Sequence, residues 1–313
     1  MSGENLPVEF KFSDYRHPRI GKQYYPIVKE ALEELGHTEW DSTPDCLSDG
    51  YTSWPEIHIY NHCHEQEIKT SNNLIIKPTG PTSKHFAIDT IGYANSSSLA
   101  FEKPIEIDMR EYDINHDIQI HNWIEERANK WDDSILLKWK KSKKEIPSDH
   151  VLIICQQPKD ETVHGFGFGN HWEKVCQIVE NVSKKTRFPI VVKLHPSQKG
   201  KLQQIKDWEE KGIYVISGYI SIHEVLPKTR VAILENSTAG IECLMHDVPI
   251  ISYGFPEYHW VTKQLQSLTQ LEDLVYDLSW HNPIDARRFM NWYIFDYLCT
   301  DINSTIERLK QIL

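Results

Sequence analysis

Lys193 and His195 stand two residues apart at the end of an apolar run, Pro189-Ile-Val-Val-Lys-Leu194, and Pro196 follows immediately. If the run is a strand, alternation puts both side chains on one side as it ends, where ammonium and imidazole can meet phosphate oxygens. His195 could also protonate a departing phosphate. Some forty residues on, a second run, Val231 to Leu234, stops at Asn236-Ser237-Thr238-Ala239-Gly240. The apolar-periodic stretch after it leads into a third run, Val248 to Ser252, so the pattern reads strand, hydroxyl-rich turn, helix, strand. A helix opening on Ser237, Thr238 and Gly240 is expected to offer backbone N–H groups, hydroxyls and the positive end of its dipole to an anion. Glu242, four residues past Thr238, shares a face with that turn and is placed for ribose hydroxyls. The combination suits a nucleotide held by its phosphate and its sugar.

Such residues need a scaffold, and the second half of the chain supplies one in outline. His150-Val-Leu-Ile-Ile-Cys155 is a continuous apolar strand, 170–185 a helix, 189–194 a strand, 199–211 a helix, 213–216 a strand and 221–226 a short helix. Strands without polar alternation, separated by helices, specify a parallel sheet covered on both faces. In such a sheet ligands bind beyond the carboxyl ends of the strands. A third loop there, Gln156 to Asn170, contains His164-Gly165-Phe166-Gly167-Phe168-Gly169, and Gly165 and Gly167 would let backbone approach a phosphate. It is not a dinucleotide fingerprint, which argues against an oxidoreductase.

The first half is less regular. Residues 1 to about 20 read as an irregular lead-in, 24–35 as a helix ending at Gly36, 56–61 and 73–77 as strands, 79–100 as a long loop with at most one helical turn, and 117–130 as a helix. Five lysines within 138–144 read as a solvated helix end or linker. The final stretch, 285–313, reads as helical and begins rich in aromatics.

Bulk properties narrow the class. A chain of 313 residues can hold two domains, and 40% hydrophobic with 25% charged residues is ordinary for a globular protein. A formal charge of −11 argues against a nucleic-acid partner. No run of about 18 apolar residues predicts a membrane span, and the N-terminus lacks the pattern of a signal peptide. Six scattered cysteines without a CxxC pair read as reduced, buried thiols, so a cytoplasmic location is expected. His58, His62 and His64 would share one face of an extended chain and could bind zinc, but no carboxylate stands at ligand spacing, and no metal is expected.

Taken together, Lys193-Leu-His-Pro196, Asn236 to Leu244 and Val248 to Gly254 resemble GT-B glycosyltransferases of the capsular-polysaccharide type. Kdo transferases of capsule and lipopolysaccharide assembly belong to that group, and bacterial sialyltransferases have a similar pairing. The resemblance covers roughly residues 150 to 262. It implies an α/β GT-B fold: an acceptor-side Rossmann-like domain over 1–147, a nucleotide-sugar domain over 148–284 facing it across a cleft, and a helical segment, 285–313, crossing back onto the first. It further implies metal-independent transfer without a cofactor, from a UDP-, GDP- or CMP-sugar donor to a hydroxyl of a glycan acceptor. Lys193, His195, Asn236, Ser237, Thr238 and Gly240 would then face the donor phosphate and Glu242 the ribose. The segment Phe255 to Trp260 lacks the aromatic-Gly-Trp-Gly signature of long Kdo transferases, so a CMP-Kdo donor is not favoured over the others.

The loop Lys77 to Ser98 resembles the acceptor-side loop of these enzymes, where an acidic residue precedes a glycine. Asp89 is the candidate general base, with His85 and Lys77 as acceptor-side candidates; Asp89 could instead only begin a turn with Gly92. Inversion at the anomeric carbon is the simpler assumption. Two other functions fit the same residues: a sugar-nucleotide epimerase of the same fold, and a non-catalytic nucleotide- or glycan-binding module.

Overall fold

A computed structural model describes residues 8–11, 23–37, 40–43, 57–61, 73–111, 113–128, 130, 145–157, 171–196 and 202–313. The chain forms two compact units, one made of 1–102 with 291–313 and the other of 103–290. The division at 102/103 lies well before the expected boundary at 147/148.

The first unit carries a five-stranded sheet. Its elements begin with β1 (Val8–Lys11), α1 (Tyr25–Glu34), β2 (Trp40–Thr43), β3 (Ile57–Asn61), β4 (Asn73–Pro78) and β5 (Phe86–Asp89). The order is β2-β1-β3-β4-β5, parallel throughout except for the β4–β5 pair. Two expectations are corrected here. Val8–Lys11, expected to be irregular, is an inner strand paired on both sides. Four residues among polar neighbours carry too little periodicity to announce a strand whose partners lie 30 to 50 residues away. The stretch 79–100, expected to be loop, contains β5, because the turn at 80–85 folds Phe86-Ala-Ile-Asp89 back against β4. Gly36, at φ 95°, closes α1 as expected: its N–H bonds to Glu33 O and that of His37 to Leu32 O, the paired bonds of a Schellman cap.

The second unit contains α2 (Ile114–Glu125), β6 (His150–Ile154), α3 (His171–Lys185), β7 (Ile190–Lys193), α4 (Leu202–Glu210), β8 (Tyr214–Ile216), β9 (Thr229–Leu234), α5 (Ala239–Met245), β10 (Ile250–Ser252), β11 (Lys263–Gln264) and α6 (Leu271–Tyr276). Its six-stranded sheet is entirely parallel in the order β11-β10-β9-β6-β7-β8. Counted from β6, that is the doubly wound order, with the reversal of direction between β6 and β9. All five residues of β6 are buried, which is why they could be apolar without alternation. Trp172, Val175, Val179 and Val182 form the helical stripe of α3 that covers the sheet, and the Trp172 and Trp208 rings lie 5.4 Å apart. Each such buried aliphatic side chain is worth roughly 2 kcal/mol of transfer free energy.

The chain leaves the second unit within α7 (Pro283–Trp292), and α8 (Ile302–Ile312) ends it in the first. Leu309 of α8 is buried with Tyr24, Val28 and Leu32, and a two-way backbone bridge joins Cys299 to Phe86. A capping box between Asp301 and Ser304 starts α8. Among the described residues no helix is long and apolar enough to cross a membrane.

Candidate functional site

The reversal between β6 and β9 opens a crevice at their carboxyl ends, and a hydrogen-bonded hub holds those ends together. Gln156 N donates to His171 Nε2 at 2.9 Å, so that nitrogen is bare and the ring proton sits on Nδ1. His171 Nδ1 in turn donates to Glu235 Oε2 at 2.6 Å, with the two side chains 0% and 2% exposed. Gln156 Oε1 accepts from Asn236 N at 2.7 Å. Thus the end of β6, the start of α3 and the end of β9 form one network in which every link is charge-assisted or buried. His171, Glu235 and Gln156 belong to no motif that marks them as site residues in the sequence. One signal was present: Glu235 directly follows four apolar strand residues, an expensive place for a carboxylate unless a partner waits there.

Beyond the hub lies a cavity lined by Lys193, His195, Ser237, Thr238 and Glu242, together with Lys130. Five of the twelve residues expected at the site thus meet around one space. Ile154, Leu194, Pro196, Ile220 and Ile222 give it apolar walls. Lys193 is 8% exposed, its Nζ 3.3 Å from Gly218 O, and burial brings its pKa down to about 8. Burial pushes the Glu242 carboxyl up, and Lys130 and Lys193 only partly offset that. Glu242 Oε2 is buried with no hydrogen-bond partner among the described residues. Lys130 Nζ donates to Thr238 Oγ1 at 2.9 Å. A Cβ on Gly218 would collide with the His195–Pro196 peptide, so glycine there lets the two loops touch.

The turn before α5 works differently from the simple helix-end expectation. The amides of Gly240 and Ile241 are already bonded to the carbonyls of Ser237 and Thr238, and Ala239 N lies 3.3 Å from Ser237 Oγ. With only seven residues in α5, hydroxyl and ammonium groups, rather than a row of free amides, are what the cavity offers an anion. Gly240 does not line it. Its missing side chain makes room for the buried Tyr258, whose hydroxyl donates to Ser237 O and holds the turn. Asn236 also points elsewhere: its backbone joins the hub, and its side-chain Oδ1 lies where a Cβ on Gly254 would be.

In the first unit, Asp89 is 2% exposed and its carboxylate accepts from five donor groups: the amides of Ile91, Gly92 and Ser98 and the hydroxyls of Ser98 and Tyr297. His85 is buried against Gly80, hydrogen-bonded through Nδ1 to Thr82 Oγ1 at 2.7 Å, and burial, with Lys84 adding, brings its pKa down to about 4. Lys77 Nζ stands 4.7 Å from the centroid of the Tyr93 ring. Gly165 and Gly167 lie outside the described residues, as do His62, His64 and the side chain of His58. Among the described residues, no group of three or more His, Cys, Asp or Glu stands together as a metal site.

Comparison with known proteins adds a family and a fold. The chain superposes on Thermosulfurimonas dismutans KpsC, beta Kdo 2,4 transferase, with a TM-score of 0.58 at 13% identity, covering 98% of each chain. It also superposes on the beta Kdo 2,7 transferase of the same KpsC with a TM-score of 0.54 at 14% identity, covering 98% of this chain and 99% of that one. The fold is therefore α/β of the GT-B type. No curated protein sequence is significantly similar. The family model described as capsule polysaccharide biosynthesis protein matches residues 103–272, more than half of the chain and wholly inside the second unit. The chain belongs to the capsule polysaccharide biosynthesis protein family.

Proposed function

We propose that the protein is a glycosyltransferase of capsule-type polysaccharide synthesis, moving a sugar from a nucleotide donor to a hydroxyl of a glycan acceptor. The observation that carries this is the meeting of Lys193, His195, Ser237, Thr238 and Glu242 around one cavity at the switch point of a doubly wound sheet. Ammonium, imidazole and hydroxyl groups suit phosphate, the unpaired Glu242 oxygen suits a sugar hydroxyl, and the aliphatic walls suit a planar base. The family and the Kdo transferases of the same fold are consistent with it.

In the reaction, the acceptor oxygen bonds to the anomeric carbon as that carbon's bond to phosphate oxygen breaks. The bonding electrons leave with the phosphate, and Lys193 and His195 stabilise that charge, so no metal is needed for this part. A single displacement of this kind inverts the anomeric carbon. The acceptor's proton goes to a base, for which we keep Asp89; one of its five donors must then yield to the acceptor hydroxyl, and Tyr297 Oη, at 3.2 Å, is among the longest. The full complement of donors favours a second role for the same residue, ordering the turn over 90–98. The two separate cleanly. Loss of transfer in Asp89→Asn with unchanged thermal stability and donor affinity supports the base, whereas a lowered unfolding temperature supports the turn.

The test of the main proposal is a thermal-shift screen against UDP, GDP, CMP and their sugars, followed by product analysis with and without glycan acceptor. A nucleotide at 100 times its Kd should stabilise the protein by about 2.7 kcal/mol. Should no nucleotide shift the transition, the donor site is misassigned; conversion of the sugar without acceptor would instead indicate an epimerase.

A further inference from the structure

Lys130 reaches the cavity from a segment whose conformation is held with unusual insistence. Helix α2 ends in a Schellman turn: Arg127 N bonds to Ile124 O and Ala128 N to Trp123 O. The residue in the left-handed position, normally glycine, is Arg127 at φ 54°. A side chain there is strained, and such strain persists where surrounding contacts over-determine it. Those contacts are present. Arg127 Nη1 donates to Glu224 Oε1 at 2.8 Å, and His223 Nε2 lies 2.8 Å from Ala128 O. A carbonyl can only accept, so His223 carries its proton on Nε2, and its bare Nδ1 accepts from His246 Nε2 at 2.8 Å. His246 is the C-terminal cap of α5, the helix bearing Glu242. Two hydrogen-bonded imidazoles, tilted 36° to each other and kept neutral mainly by burial, thus form a strut from α5 to the residue two before Lys130.

At the end of this strut Lys130 Nζ meets Thr238 Oγ1, and its charge acts on the buried Glu242. A strained, doubly tethered segment that leads to an ammonium group on the Thr238 hydroxyl at the cavity wall is costly to keep unless the ammonium has work there. We propose that Lys130 is a phosphate-binding residue of the donor cavity, joining Lys193 from the opposite sequence direction, and that His223 and Arg127 are the positioning residues that hold it there. This rests on the nucleotide reading of the cavity and deepens it. With phosphate bound, Lys130 donates to a phosphate oxygen while Thr238 Oγ1 remains within reach of both.

Titration calorimetry on the full chain tests this with CMP, UDP and GDP and, for comparison, cytidine, uridine and guanosine. Lys130→Met should weaken the nucleotide that the wild type binds by about 10- to 100-fold, the range for a lost charged hydrogen bond, and leave the matching nucleoside within about twofold. Lys130→Gln, which keeps a polar partner for Thr238, should show the same loss, and Lys130→Arg should recover most of it. His223→Ala should weaken nucleotide but not nucleoside, a split that general loosening of the fold does not produce. Nucleotide affinity unchanged in Lys130→Met, or equal losses for nucleotide and nucleoside, overturns the role of Lys130 while leaving the donor cavity intact. A wild type that binds none of the three nucleotides overturns the cavity assignment itself, and Lys130 with it.

Discussion

Replacing Gly240 by alanine places a methyl group in space already held by Tyr258. An ideal Cβ would lie inside 3.0 Å of two carbons of that ring and of its hydroxyl oxygen, whereas carbon atoms prefer roughly 3.5–4.0 Å. The ring would have to retreat by at least about 1 Å, yet it is 3% exposed and anchored by its hydroxyl to Ser237 O. Overpacking of this kind costs about 1–3 kcal/mol, and the loosened hydrogen bond adds about 1. Alanine's better helix propensity returns about 0.8–1 kcal/mol. A net loss near 2 kcal/mol remains, which for a unit of this size is a fall of about 4–8 °C in unfolding temperature. Differential scanning calorimetry of four proteins decides it: wild type, Gly240→Ala, Tyr258→Leu and the double variant. With the ring gone, the alanine should be neutral or slightly stabilising, so the two changes should couple by at least about 1 kcal/mol. An unfolding temperature at or above wild type for Gly240→Ala, or the same cost in both backgrounds, refutes the account of why glycine stands there.

Two more outcomes follow from the buried polar groups. His171→Leu leaves Glu235 without its partner in the hub and should cost about 3–5 kcal/mol, whereas His171→Leu with Glu235→Leu should recover much of that, read by chemical denaturation. Lys193, with its pKa down at about 8 against an ordinary 10.5, gives opposite signs for binding and stability. Phosphate or nucleotide affinity should fall as pH rises through about 8, because the ammonium charge is lost. Stability of the ligand-free protein should meanwhile gain from this residue between about pH 8 and 10.5, where the unfolded chain holds the extra proton. Lys193→Met should lack both trends, and a wild type matching it across that range contradicts the burial effect.

How far the molecule could be read from its sequence depended on the range over which each feature is encoded. Burial on both faces of β6 and β9 leaves continuous apolar runs, and the glycine closing α1 sits where a left-handed residue is required, so these were legible. The pairing of Lys193 with His195, and of Thr238 with Glu242, follows from the repeat of a strand end and of a helix, and both pairs line the cavity. Gly240 shows the limit: the turn was visible, but glycine's purpose there is set by Tyr258, which arrives from beyond the next strand. Strand β1 was invisible because four residues gain their stability from β2 and β3, not from their own pattern.

Local pattern, a short-range consequence of which face of an element avoids water, determined the parallel sheet and most of the cavity's polar lining. Only closure of the chain decided strand order, the His171–Glu235 bond across 64 positions and the Lys130–Thr238 bond across 108. Those contacts draw their free energy from excluding water around groups that meet only after folding, and nothing in either local segment records that they will meet.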